Sequence, residues 1–184
     1  MFIQTEGTPN PATLKFLPGC AVMKKGTANF TSVAEAGSSP LAQRLFDIEG
    51  VAGVFLGSDF ITATKAEAKD WDVMKPQILG ALMEHFMSGK PVIAEAGAPA
   101  AEAAPAGGEN ALTAQIKELL DTRVRPAVAQ DGGDIIFQRY EDGIVYLHLQ
   151  GSCSGCPSST ATLKHGIENM LKYYIPEIRE VQSV

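Results

Sequence analysis

Between Ala94 and Glu109 every residue is Ala, Pro, Gly or Glu, and no side chain in this run is large enough to anchor a core. Such composition predicts a flexible tether, with an r.m.s. reach of about 20 to 24 Å if it behaves as a coil. A chain of 184 residues could form one compact domain or two small ones. The tether decides for two, spanning 1–93 and 110–184 with the linker at 94–109. The halves share neither motif nor spacing, so they are not repeats. With 45% hydrophobic and 20% charged residues, the chain as a whole has the apolar material for a buried core and lies far from the disordered class.

In the first half, Phe2 to Thr5 and Thr13 to Leu17 read as short strands around the turn residues Thr8-Pro9-Asn10-Pro11. Ser39-Pro40 is an N-cap and N1 pair for a helix carrying Leu41, Leu45 and Ile48, expected to stop at Gly50. Val51 to Leu56 and Phe60 to Thr64 flank Gly57-Ser58-Asp59 as a hairpin. Asp72 precedes a helix with Ile78, Leu79, Leu82, Met83 and Phe86 on one side, and Pro76 is expected near its first turn.

In the second half, Leu112, Ile116, Leu119, Leu120 and Val124 share a helix face that Asn110 could cap, with a kink or restart at Pro126. Asp131-Gly132-Gly133-Asp134 turns the chain into an extended run to Tyr140. Glu141-Asp142-Gly143 then returns it through Ile144 to Gln150, an antiparallel hairpin. A last helix carries Leu163, Ile167, Met170, Leu171 and Tyr174, with a short possible strand through Ile178 and Val181. The class is α+β: two small domains, the second ordered α-β-β-α with a Cys-x-x-Cys between the hairpin and the last helix.

That pair, Cys153 and Cys156, carries the functional question. Three cysteines cannot all pair within one chain, which argues against a secreted disulfide framework. A net charge of -6, with 15 scattered Lys and Arg, supplies no basic stripe and argues against nucleic acid as a partner. No apolar run approaches the ~20 residues that span a bilayer, so no membrane partner is expected. Met1 to Glu6 lacks a basic or Arg-rich leader, which predicts a cytoplasmic address unless a leader has been removed.

Following a strand and opening a helix, both sulfurs are expected where free helix N–H groups favour a thiolate. A thiolate serves metal ligation and disulfide exchange alike, so a cluster or zinc site, a redox dithiol and plain structural thiols all fit the spacing. A thioredoxin-like motif belongs near a βαβ unit, whereas a hairpin precedes these cysteines, and that context favours metal. A 4Fe-4S cluster takes four thiolates and one motif supplies two, so a two-fold dimer would complete the set.

Three segments make the chain recognisable: Val-Arg-Pro-Ala-Val-Ala-Gln-Asp-Gly-Gly-Asp at 124–134, Leu147 to Lys164 through both cysteines, and Tyr174-Ile175-Pro176-Glu177-Ile178. They resemble the C-terminal domain of NifU-like (Nfu-type) iron-sulfur cluster scaffold proteins. Thr5 to Pro11 and Asp59-Phe60-Ile61-Thr62 resemble the Nfu N-terminal domain. The resemblance implies a non-enzymatic scaffold or carrier that binds a 4Fe-4S cluster between two protomers. It implies Cys153 and Cys156 as ligands, an upstream cluster donor, apo iron-sulfur clients, and client recognition by the N-terminal domain. It also implies a bacterial cytoplasmic protein, or one of the mitochondrial matrix after processing. The competing class is a monomeric thiol-disulfide oxidoreductase using the same pair.

Other candidates read as structural. Cys20 is expected to behave as a small hydrophobe, and His85, His148 and His165 as surface or core histidines, His148 being nearest the motif. Asp131 and Asp134 fit a turn better than an oxygen-ligand site. Met74, Met83, Met87, Trp71 and Phe60 are expected to fill core, and the serines around the cysteines have no His and acid set beside them for nucleophilic work.

Overall fold

The computed structural model describes residues 2–94, 111–154 and 157–184. The tether beyond Ala94, the Asn110 cap and Cys156 lie outside those residues. The chain divides into two compact units, Met1–Glu102 and Ala103–Val184, with mixed helix and sheet.

The first unit is built on β1 (Gln4–Gly7), β2 (Thr13–Leu17), β3 (Ala28–Phe30), β4 (Val51–Leu56) and β5 (Ile61–Lys65). They form one antiparallel sheet in the order β1-β2-β5-β4-β3. In the first turn the Thr8 hydroxyl donates to the Thr13 carbonyl at 2.9 Å, and Asn10 Oδ1 accepts from Ala12 N–H at 3.0 Å. Helix α1 (Pro40–Phe46) starts as expected: Ser39 Oγ accepts from Ala42 N–H at 3.0 Å and donates to the Val92 carbonyl at 2.6 Å. It ends before Gly50 because Ile48 N–H bonds to the Leu45 carbonyl, a tightened final turn. Helix α2 (Trp71–Met87) begins at Trp71, and Pro76 sits in its interior on the exposed side, where water can serve the carbonyl it leaves unpaired. Phe16, Leu41, Leu45, Leu56, Ile61, Ile78 and Leu82 are fully buried between sheet and helices.

Several expectations change here. Strand β3, three residues long, shows no alternation a sequence reading could catch. Met74 is core, but Met83 and Met87 face solvent at 37% and 76% exposure, and Cys20 is exposed rather than packed. Phe60 is buried, while Trp71 is half-buried with its indole N–H donating to the Pro11 carbonyl at 3.1 Å.

The second unit opens with α3 (Ala111–Leu119), which runs through a π turn at Leu120–Val124 into α4 (Arg125–Gln130). The expected break at Pro126 is thus a widened turn. Arg125 N–H reaches back five residues to the Leu120 carbonyl, just before the proline that has no N–H to give. Strands β6 (Gly133–Glu141) and β7 (Ile144–Gly151) pair antiparallel around Asp142 and Gly143, whose φ values of 51° and 84° are those of the type I′ turn that matches strand twist. Helix α5 (Pro157–Tyr174) leads to β8 (Glu180–Ser183), which pairs parallel with β7. The final strand is more than an appendage: Val181 is buried, and Arg179 N–H donates to the Gly143 carbonyl at 2.7 Å. Ile116, Leu120, Val124, Ile167 and Leu171 from the helices pack with Ile135, Val145, Leu147 and Leu149 from one face of the sheet. No described helix is long and apolar enough to cross a membrane.

Candidate functional site

The end of β7 and the start of β6 lie side by side, Gly151 opposite Gly133, so the loop after β7 folds over the Asp131 to Asp134 turn. Gly132 has φ 81°, a left-handed conformation that closes α4, and its N–H donates to the Ala129 carbonyl at 3.0 Å. Gly133 needs to be glycine for another reason. A Cβ there would stand 2.6 Å from Cys153 Sγ and 2.7 Å from the Gln150 carbonyl oxygen. The sulfur therefore rests directly on the backbone of β6.

Hydrogen bonds fix the loop around that contact. Ser152 N–H donates to the Gly132 carbonyl at 3.2 Å and its hydroxyl donates to the Asp131 carbonyl. Ser154 N–H and Oγ both donate to the Gly151 carbonyl, at 3.1 and 2.9 Å, and Thr160 Oγ1, in the first turn of α5, donates to the Cys153 carbonyl at 3.0 Å. Beneath them Arg125 holds Asp134 bidentately, Nε to Oδ1 at 2.9 Å and Nη2 to Oδ2 at 2.7 Å, while Ile135 N–H donates to Oδ1 at 2.8 Å. Asp121 takes a further guanidinium N–H at 3.2 Å.

Cys153 is only 5% exposed and belongs to the hydrophobic core of its unit. Burial pushes its thiol up to about 11; the Ser152 hydrogen bond opposes this, and the Asp131 and Asp134 carboxylates add to it. The expectation of a thiolate favoured by helix N–H groups is corrected for this residue. Cys153 sits four residues before α5, inside the fold and near two carboxylates, so desolvation governs it. Such a thiol is a poor nucleophile in the free chain. A bound metal still deprotonates a coordinating thiol outright.

The structure brings Cys153 together with Gly133, Ser152, Asp131 and Asp134, and keeps Cys20 in the other unit. His148 is half-buried on β7 with Nδ1 2.7 Å from the Val184 carbonyl, and His165 is exposed on α5. His85 is buried in the first unit. Sequence reasoning missed Gly133, Thr160 and the Arg125 clamp. The Gly-Gly pair gave a turn signal, but nothing in it distinguished a glycine needed for φ from one needed for contact.

Fold and site together define a two-domain α+β protein whose second domain sets a core-anchored cysteine at a strand-to-helix junction. The sequence matches the family described as "Scaffold protein Nfu/NifU N terminal" over residues 3–89 and the "NifU-like domain" over residues 116–182. It is 53% identical over its whole length to "NFU1 iron-sulfur cluster scaffold homolog, mitochondrial" of Drosophila willistoni, and 54% identical to the protein of that name from Drosophila virilis. The chain spans 64% and 62% of the length of those relatives. Among solved structures, a NifU-like protein from Saccharomyces cerevisiae shares 29% identity over 52% of this chain and 86% of that chain, with a TM-score of 0.47. The chain belongs to the Nfu/NifU family.

Proposed function

We propose that this chain is an iron-sulfur cluster scaffold and carrier. Cys153 and Cys156 of two protomers supply four thiolates to one 4Fe-4S cluster, the cargo, which apo-proteins then remove by exchanging their own cysteine thiolates for these ligands one at a time. The observation that carries the reading is the placement of Cys153: seated on Gly133, with its neighbour Ser152 bonded to the turn before β6 and its own carbonyl accepting from Thr160 of α5. A preset backbone suits a ligand that must accept a cluster in defined geometry. The same burial disfavours the thiol-disulfide oxidoreductase reading, since an attacking cysteine works through an accessible, easily formed thiolate. No turnover of a small substrate is needed, and the protein acts without being an enzyme.

Residues 1–93 form the client-recognition domain, 94–109 the tether and 110–184 the cluster domain, so the tether raises the effective concentration of a held client at the cluster. The protein works in a bacterial cytoplasm or, where a leader has been removed, in the mitochondrial matrix, receiving its cluster from an upstream donor.

Anaerobic reconstitution tests this. About two irons and two sulfides per chain with a dimeric mass support it, half of a four-iron unit belonging to each chain. Cys153→Ala or Cys156→Ala abolishes colour and dimer, and Cys20→Ala does neither. A colourless monomer that reduces disulfides overturns the proposal in favour of its rival. Removing the residues before Ala94 is expected to spare cluster binding and weaken delivery; unchanged delivery to every client refutes the tethering role.

A further inference from the structure

We infer that Thr160 is a positioning residue for the cluster ligand Cys153, an inference that rests on the proposed function and deepens it. The hydroxyl lies in the first turn of α5, where helical side chains lean toward the N-terminus. A helical threonine can return its proton to its own helix, to the carbonyl four residues back. Thr160 instead reaches seven residues back and donates to the Cys153 carbonyl at 3.0 Å.

That bond closes a brace around one residue. On the β6 side, Ser152 is fixed to the Asp131 and Gly132 carbonyls, and Cys153 Sγ abuts Gly133. On the α5 side, Thr160 holds the carbonyl of Cys153 itself. With both ends fixed, the peptide plane and the Cα–Cβ direction of Cys153 are set, and the sulfur keeps its place before any metal arrives. Without the Thr160 bond the cysteine is tethered from the strand side alone. The loop then loses preorganisation, and the sulfur samples positions from which it ligates less well and is attacked more readily.

Thr160→Val removes the hydroxyl at nearly constant shape, and Thr160→Ser keeps it. Two readouts are made on the full chain. The first is the half-life of the reconstituted cluster under chelator challenge, followed by its visible absorbance and circular dichroism. The second needs no cluster: the rate of iodoacetamide labelling at Cys153 in the apo protein at fixed pH, read by peptide mass spectrometry with Cys20 as internal reference. For a single hydrogen bond the valine variant is expected to shorten the half-life about fivefold and to speed Cys153 labelling by a similar factor. Labelling of Cys20 stays at the wild-type rate, the apo melting temperature falls by no more than about 4 to 8 °C, as one hydrogen bond of about 1 kcal/mol implies, and serine restores both readouts to within about twofold. If valine leaves Cys153 labelling unchanged, or serine behaves as valine does, the inference is wrong. If wild type takes up no cluster, the proposed function fails while labelling still decides the role of Thr160.

Discussion

Replacing Gly133 by alanine adds a single methyl group at the most crowded backbone position around Cys153. Its Cβ would stand 2.6 Å from Cys153 Sγ and 2.7 Å from the Gln150 carbonyl oxygen, well short of the 3.4 Å at which ordinary contact begins. The sulfur is core-packed and the carbonyl belongs to the paired strand, so neither moves away freely. Overpacking of this kind costs about 1 to 3 kcal/mol. Taking about 2 kcal/mol, and about 4 to 8 °C per kcal/mol for a domain of this size, the second unit is expected to melt about 8 to 16 °C lower. Changing a group that orients a metal ligand typically costs about 10- to 100-fold in metal affinity, so with Cys153 as the proposed ligand iron uptake is expected to fall by at least about tenfold. A double-mutant cycle isolates the sulfur contact. In a Cys153→Ala background the clash with Sγ is gone while that with Gln150 remains, so Gly133→Ala is expected to cost about 1 kcal/mol less there. The measurements are apo melting curves and iron per chain after anaerobic reconstitution. Additivity of the two substitutions within about 0.5 kcal/mol, or wild-type iron content in Gly133→Ala, would refute the view that the glycine exists to seat the sulfur.

Arg125→Met leaves the Asp134 carboxylate, 4% exposed, without its two guanidinium bonds. Breaking a buried pair costs about 3 to 5 kcal/mol, and since the Arg125 side chain is 38% exposed the expected loss is nearer 2 kcal/mol, measured by urea unfolding. Arg125→Lys is expected to recover only part of it, because a point charge cannot replace the fork. Burial holds His85 below its ordinary value of 6.5, against a backbone hydrogen bond at Pro91 and with nearby Lys90 and Arg44 adding to the effect. The unfolded chain therefore takes up this proton first, so the contribution of His85 is fully present above 6.5 and is lost as pH falls through the lower folded value. Melting curves across that range are expected to show an acid-side loss in the first unit that His85→Gln removes. Because the Cys153 thiol is pushed up to about 11, cluster loading must expel its proton. Affinity is expected to rise about tenfold per pH unit for each Cys153 thiol and to go on rising above about pH 9, where an ordinary thiol levels off; a plateau by about pH 9 would contradict the buried thiol.

That the chain makes two units was legible because Ala94 to Glu109 has no packing side chain, and α1, α2 and the β6–β7 hairpin because caps, apolar spacing and Asp-Gly are local signals. What escaped depends on chain segments distant in sequence. Strand β3 exists because Ala28 to Phe30 meets the edge of β4, not because of any pattern of its own. The π turn is visible only once Arg125 N–H has found the Leu120 carbonyl. At the site, the position of the cysteine was readable, but the state of its thiol was not. A helix terminus is a local feature of the chain, while the core around Cys153 and the carboxylates of Asp131 and Asp134 arrive through tertiary folding. The exposure of Met83 and Met87 is a similar case, since both sides of α2 are apolar and the sequence alone does not say which one the sheet covers.

The parallel seam between β7 and β8 has a bearing on biosynthesis. A strand that pairs only after a crossover helix cannot dock until its own residues leave the ribosome, and here those residues are Glu180–Ser183, emerging after both cysteines. During translation the first unit can be complete while the second still lacks its closing edge, with Val181 missing from the core beneath the sheet. A nascent chain would thus carry Cys153 through synthesis before the strand that closes the core around it has docked.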